Sequence, residues 1–170
     1  RECRVAVTAR GAGTSCAGNA IGPGVVIDYS RHLNRIIKIN PEKRYAIVEP
    51  GVVQSQLQQA AAEYGLRFGP DPSTSSRCTI GGMIGNNACG PHATAYGRTS
   101  DNILELRLID GLGREIIAGQ TPQNAGSIPP HDPSSQSEEI KQIPGLKSLV
   151  EANLATIRTE FGRFGRQVSG

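Results

Sequence analysis

The sequence predicts an α+β fold. Three observations carry that expectation. Short β-branched segments fill the first 50 residues, one segment of helical period follows them, and a hairpin and a second helical segment come after residue 100. Strands and helices are segregated along the chain, so regular βαβ alternation of the Rossmann kind is disfavoured despite the many glycines.

Residues 4–9 (RVAVTA) read as a strand that runs into a Gly-rich loop at 10–24 (RGAGTSCAGNAIGPG). Residues 25–28 (VVID) are β-branched and bounded by turn residues, the signature of a buried strand. One helical turn is expected at 30–34, a strand at 36–39, a turn at Asn40 and Pro41, and a clear strand at 45–49 (YAIVE). Pro50 and Gly51 break that strand.

Val53, Leu57, Ala60, Ala61 and Tyr64 then recur on one face of a 3.6-residue period, which predicts a helix. Gln54, Gln56, Gln58, Gln59 and Glu63 are assigned to its wet face, and Gly65 is expected to end it in the left-handed conformation. Residues 69–97, dense in Gly, Pro, Ser, Thr and Asn, read as loop. Residues 103–109 (ILELRLI) return to strand with Leu104, Leu106 and Leu108 on one face. Asp110 and Gly111 turn the chain, and 114–118 come back as the hairpin partner. Residues 119–137 are polar and Pro-rich, a flexible loop. Residues 138–170 form a helical segment whose apolar face is Leu146, Leu149, Val150, Leu154, Ile157 and Phe161.

Composition excludes several functions. Aromatics are 4% with no Trp, so the core must be built from aliphatic side chains. A formal charge of +3, scattered along the chain, gives no nucleic-acid footprint. No apolar run approaches the roughly 20 residues of a membrane span, and no signal peptide is visible. Cys3, Cys16, Cys78 and Cys89 have neither zinc nor iron–sulfur spacing, so no metal site is expected and reduced thiols of a cytosolic protein are. Both ends read as cut, so the expectation is a portion of a longer protein.

Two segments carry chemistry. In the first, Arg10, Gly11, Ala12, Gly13, Thr14 and Ser15 follow a strand directly, with Gly18 and Asn19 close behind. Consecutive N–H groups in such a loop can converge on an anion, and a pyrophosphate would lie there. The spacing is neither the dinucleotide fingerprint nor a Walker loop, and a tight turn alone would account for the glycines equally well. The second segment joins Pro70, Asp71 and Ser73 to residues 79–90 (TIGGMIGNNACG). There Ile80, Met83 and Ile84 are apolar anchors, while Gly81, Gly82 and Gly85 leave bare backbone and Asn86 and Asn87 offer amides. Two such segments are more than one turn needs. His92 reads more readily as a surface or structural residue than as a ligand contact. His32 and His131 read as turn residues, and Glu138 and Glu139 as a solvated face.

The motifs RGAGTSCAG, VVIDYSRHLNRI, AIVEPGV, FGPDPST and TIGGMIGNNACG, in that order, resemble the FAD-binding PCMH-type domain of the vanillyl-alcohol oxidase superfamily. Within it the chain is most similar to the D-lactate and D-2-hydroxyglutarate dehydrogenase group. HATAYGRTSDNILELRLIDGLG is similar to the large bacterial members fused to an iron–sulfur module. The resemblance implies a two-lobed fold, incomplete here, with the partial FAD domain over residues 1–118. It implies that Arg10 to Ser15, Gly18 and Asn19 hold the pyrophosphate. Pro70, Asp71 and Ser73 would border the cofactor, Thr79, Gly81, Gly82, Gly85, Asn86 and Ala88 would hold the diphosphate and flavin side, and Gly97 would follow close by. Some relatives carry flavin on a His in the first loop. That position reads as Thr14, so non-covalent FAD is implied.

The substrate implied is a 2-hydroxy acid, and the electron acceptor or iron–sulfur module would lie in another part of the protein. The implied location is cytoplasmic, with peripheral attachment to the inner membrane face allowed. The base and substrate residues of relatives lie in a later domain, so no catalytic residue is assigned. The alternatives are an FAD domain of another flavoenzyme class and a non-catalytic nucleotide-binding module.

Overall fold

The computed structural model describes residues 4–119 and 145–160. They fall into two compact units that part between Asn102 and Ile103.

The first unit opens with β1 (Val7–Arg10) and β2 (Val25–Asp28), paired in parallel with Val7 opposite Val25 and Arg10 opposite Asp28. Parallel strands need a crossover of about a dozen residues or more, usually a helix. Here residues 11–24, the Gly-rich loop, make the crossover without a helix. Gly24 permits its return: it sits at φ +85°, and a side chain there would come within 2.2 Å of the Ala6 carbonyl. β3 (Ile36–Asn40) and β4 (Tyr45–Val48) form an antiparallel pair with an irregularity between Ile36 and Lys38.

Helix α1 (Gln54–Ala62) follows, and Gly65 at φ +67° closes it as the sequence predicts. Two of its face assignments are corrected. Gln54, placed on the wet face, is buried: its N–H donates to the Cys78 carbonyl (2.9 Å) and its side-chain amide to the Pro70 carbonyl (3.1 Å). Tyr64, placed on the apolar face, is exposed.

Residues 69–97, expected as loop, contain α2 (Ile80–Gly85) and α3 (Ala93–Tyr96), and a 3-10 turn (Thr99–Asn102) lies just beyond. Glycine content masked α2, yet Ile80, Met83 and Ile84 fall at helical offsets and Thr79 is its N-cap, accepting from the Gly82 N–H at 3.3 Å. The core of the unit is Val52, Leu57, Cys78, Ile80 and Met83, with Ile36, Val48, Phe68, Ile84 and Ala88 packed against it. It is aliphatic apart from Phe68 and the sulfur side chains Cys78 and Met83, in keeping with the aromatic-poor composition. The core therefore anchors α2, the helix that carries half of the second segment.

The second unit contains a hairpin of β5 (Glu105–Ile109) and β6 (Glu115–Gly119), in which Leu106 faces Ala118. Asp110 makes its turn, accepting from the N–H groups of Leu112 and Arg114 (2.8 and 2.9 Å). The expected single helix is two: α4 (Leu146–Ala152) and α5 (Leu154–Glu160), parted at Asn153. The Asn153 side chain donates to the Leu149 carbonyl (2.8 Å), the backbone competition that makes Asn a weak helix residue. Neither helix buries a residue within the described structure. The loop placed at 119–137 lies, after Gly119, outside the described residues, as does Phe161.

Candidate functional site: a glycine-rich loop seated on helix α2

The structure brings the two segments together. Gly11 lies so close to α2 that a side chain on it would stand 2.1 Å from Thr79 Oγ1 and 3.5 Å from Gly82 Cα. At the other end of the loop, the Asn19 side-chain amide donates to Asn86 Oδ1 (3.1 Å). The loop is thus held against the start of α2 at Gly11 and its end at Asn19.

Between these points, the N–H groups of residues 11–15 donate to no group among the described residues. Among the described residues, the hydrogen bonds within the rest of the loop are local ones: Ala17 N–H to Ser15 Oγ (3.4 Å) and Ile21 N–H to the Gly18 carbonyl (3.3 Å). Gly13 at φ +67° and Gly18 at φ +78° adopt conformations that other residues rarely take. Unpaired, successive N–H groups on a Gly-rich turn are the donor set that an anion such as phosphate satisfies.

α2 contributes differently from what its glycines suggest. Its first donors are used within the protein: Ile80 N–H to the Val52 carbonyl, Gly81 N–H to the Pro50 carbonyl (2.8 Å each), and Gly82 N–H to Thr79. Gly81 is glycine because a side chain would strike Pro50, at 2.7 Å. Gly85 has no such reason. Its φ is not left-handed, and a side chain there would meet no atom within 4 Å. The open space beside Gly85 is what a closely approaching ligand would use.

Other predicted positions are also engaged by the protein. The Arg10 guanidinium holds Asp28 with Nε at 3.2 Å and an Nη at 3.0 Å, across the paired ends of β1 and β2. Asp28 also caps the following turn, accepting from the N–H (2.9 Å) and hydroxyl (2.6 Å) of Ser30. These Ser30 bonds and the Arg10 contact hold its carboxyl down to about 2. Ala88 donates its N–H to Met83 and accepts from the N–H and hydroxyl of Thr99. Pro70 is buried and accepts from Gln54. Gly97 takes φ +73° beside Asp101. Thr14 and Ser15 are half-buried, and Ser73 is exposed.

Asp71 is joined to His92 through the ring Nδ1 (2.5 Å) and, more weakly, the His92 N–H (3.4 Å). Burial pushes the Asp71 carboxyl up, but the His92 bonds and the charges of His92 and Arg67 together leave it below its ordinary value. Gln54 was the residue missed from sequence, because a Gln among four other polar residues of one helix gives no sign of burial. Asp28 was missed too, although Asp-x-Ser is a recognisable turn spacing.

Two parallel strands are thus joined by a Gly-rich loop that lies against a Gly-rich helix. Residues 1–119 match the model of an FAD binding domain, and the chain belongs to that family. It is 46% identical over 113 residues to a D-2-hydroxyglutarate dehydrogenase of Escherichia coli K12, covering 66% of this chain and 11% of that protein. It is 44% identical to the D-2-hydroxyglutarate dehydrogenase of Pseudomonas putida over 98% of this chain and 16% of that protein. It is 42% identical to the glycolate oxidase subunit GlcD of Escherichia coli K12 over 64% of this chain and 22% of that protein. The crystal structure of 6-hydroxy-D-nicotine oxidase from Arthrobacter nicotinovorans superposes with a TM-score of 0.61 at 27% identity, over 69% of this chain and 25% of that one. The fold is thus the α+β, FAD-binding PCMH type of the vanillyl-alcohol oxidase superfamily. The chain spans about a tenth to a sixth of the length of the dehydrogenases it matches. No helix among the described residues is long and apolar enough to cross a membrane.

Proposed function

We propose that this chain is the phosphate-gripping portion of a non-covalent FAD site in an oxidoreductase acting on a 2-hydroxy acid of the D-2-hydroxyglutarate or D-lactate type. The observation that carries the reading is the row of unpaired N–H donors at residues 11–15, held in place by Gly11 on Thr79 and Asn19 on Asn86. The residues fit the cofactor: left-handed Gly13 and Gly18 shape the loop, and the space at Gly85 admits a ligand beside α2. FAD, when bound, supplies a hydride acceptor for the carbon bearing the substrate hydroxyl.

The proposed cofactor residues fall into two groups. Gly11, Ala12, Gly13, Thr14, Ser15, Gly18 and Gly85 face the ligand. Arg10, Asn19, Pro70, Asp71, Ser73, Thr79, Gly81, Gly82, Asn86, Ala88 and Gly97 build the frame that presents them. The relatives' names support the substrate class, since 2-hydroxyglutarate and glycolate are both 2-hydroxy acids. Catalytic residues, the electron acceptor and any iron–sulfur module are assigned to the rest of a longer protein, in the cytoplasm or at the inner membrane face.

A backbone N–H bond to a charged phosphate contributes about 1.5–3 kcal/mol, and each 1.4 kcal/mol is about tenfold in affinity. Three or four such bonds sustain phosphate binding, but ordering the loop offsets part of that gain. The chain alone is therefore expected to bind FAD weakly. Titration followed by flavin fluorescence checks this, and tight stoichiometric binding would overturn it. In the longer protein, anaerobic addition of D-2-hydroxyglutarate or D-lactate is expected to bleach the flavin band. Failure of every 2-hydroxy acid in a panel to bleach it would count against the substrate class.

A further inference from the structure

The contact between Asp71 and His92 has a geometry that its location does not explain by stability. The His92 side chain is 63% exposed and that of Asp71 21%, and a pair with one partner so exposed contributes little to folding. Yet Asp71 is constrained from three directions. One carboxylate oxygen meets His92 Nδ1, the other meets the His92 N–H, and Gly90 lies so close that a side chain on it would reach Asp71 Oδ1 at 2.2 Å and the Asp71 backbone at 2.4 Å. The residue before it, Pro70, is held by Gln54 from helix α1. On the other side, Tyr96 meets the His92 ring edge-on and carries the Arg67 guanidinium 4.7 Å from its own ring centre.

The pair joins the segment at Pro70 and Asp71 to the turn at residues 89–92 that leaves α2. We infer that Asp71 and His92 are a latch of positioning residues, which sets the path of the chain leaving α2 against the segment at Pro70 and so fixes the FAD site without touching the reacting atoms. The inference rests on the FAD reading given above. Because one partner of the latch is strongly exposed, it acts on the geometry of the bound cofactor far more than on the stability of the fold. Asp71 needs a donor opposite it, and the identity of that donor is secondary. An arginine at 92 can serve in place of the imidazole, whereas alanine cannot.

The test uses the full-length protein that contains this chain, prepared free of flavin and titrated with FAD. The variants are His92→Ala, Asp71→Asn, their double variant and His92→Arg, and the readouts are FAD affinity, visible circular dichroism of the bound flavin and thermal midpoint of the apoprotein. Each single variant is expected to weaken FAD about tenfold and alter the flavin dichroism while leaving the apoprotein midpoint within a degree or two. The double variant should be no worse than the singles, and His92→Arg should restore affinity to within a few fold. Wild-type affinity and dichroism in the single variants would overturn the latch, as would additive losses in the double variant. A fall in apoprotein midpoint matching the loss of affinity would also overturn it, since the pair would then act through stability alone. Should His92→Ala fail to fold, the near-isosteric Asp71→Asn carries the same comparison. If wild-type protein takes up no FAD, the functional reading fails first, and that outcome is distinct from a latch that proves dispensable.

Discussion

At the scale of single residues, three carboxylates organise the first unit. Glu49, buried, receives the Arg35 guanidinium (2.7 and 3.1 Å) and the Arg35 N–H (2.8 Å), and these bonds hold its carboxyl below the ordinary range. Asp71 holds His92. Asp28 does most for the candidate site, because it ties Arg10, the residue at which the Gly-rich loop begins, to the end of β2. Its carboxyl titrates near 2 when folded, against an ordinary 3.8. The folded form therefore binds its proton less readily than the unfolded form, and the stabilisation is present above about pH 4 and lost as pH falls toward 2. Asp28→Asn is expected to unfold at lower urea than wild type at pH 6, with the gap closing as pH falls through that window. A gap independent of pH would contradict the assignment. Sequence reading reached these residues unevenly. The Asp28 to Ser30 turn is local and legible. The pairings of Arg10 with Asp28, Arg35 with Glu49 and Asn19 with Asn86 depend on how distant segments pack, which no local pattern encodes.

At the scale of elements, α2 shows why glycine-rich sequence misleads. Propensity argues against a helix at IGGMIG, since each internal glycine costs up to about 1 kcal/mol relative to alanine. The Thr79 cap and burial of Ile80 and Met83 offset that cost. The glycines then separate by role, and substitution tests the separation. Gly11→Ala places a methyl on Thr79 Oγ1 and must displace either the loop or the cap. It is expected to cost about 1–3 kcal/mol in apoprotein unfolding, the usual range for overpacking. Gly85→Ala meets no protein atom. It is expected to leave the apoprotein unchanged or more stable by up to about 1 kcal/mol, while weakening FAD at least tenfold. Equal FAD affinity in Gly85→Ala and wild type would show that no ligand approaches α2 there. The strands were legible as β-branched runs bounded by turn residues or, at 103–109, by alternation, and α1 by its 3.6-residue period. The break at Asn153 was not, because the apolar positions of α4 and α5 continue one helical period through it.

At the scale of the whole molecule, the order of five motifs was the most legible feature, and the family match over residues 1–119 agrees with it. What the motifs did not give was the division of labour. The sequence read residues 79–90 as loop, and the resemblance implied that Gly81, Gly82 and Gly85 hold the diphosphate and flavin side. In the structure the N–H groups of Ile80, Gly81 and Gly82 donate to Val52, Pro50 and Thr79, while those of residues 11–15 donate to no group among the described residues. The proposed role of the loop at residues 11–15, seated on α2, is to hold the cofactor by its diphosphate. It is tested most directly by comparing FAD, FMN and riboflavin as ligands of the full-length apoprotein, with ADP as competitor. Stoichiometric binding of FAD, competition by ADP and at least a hundredfold weaker binding of riboflavin are expected. Riboflavin binding as tightly as FAD, with ADP without effect, would contradict it.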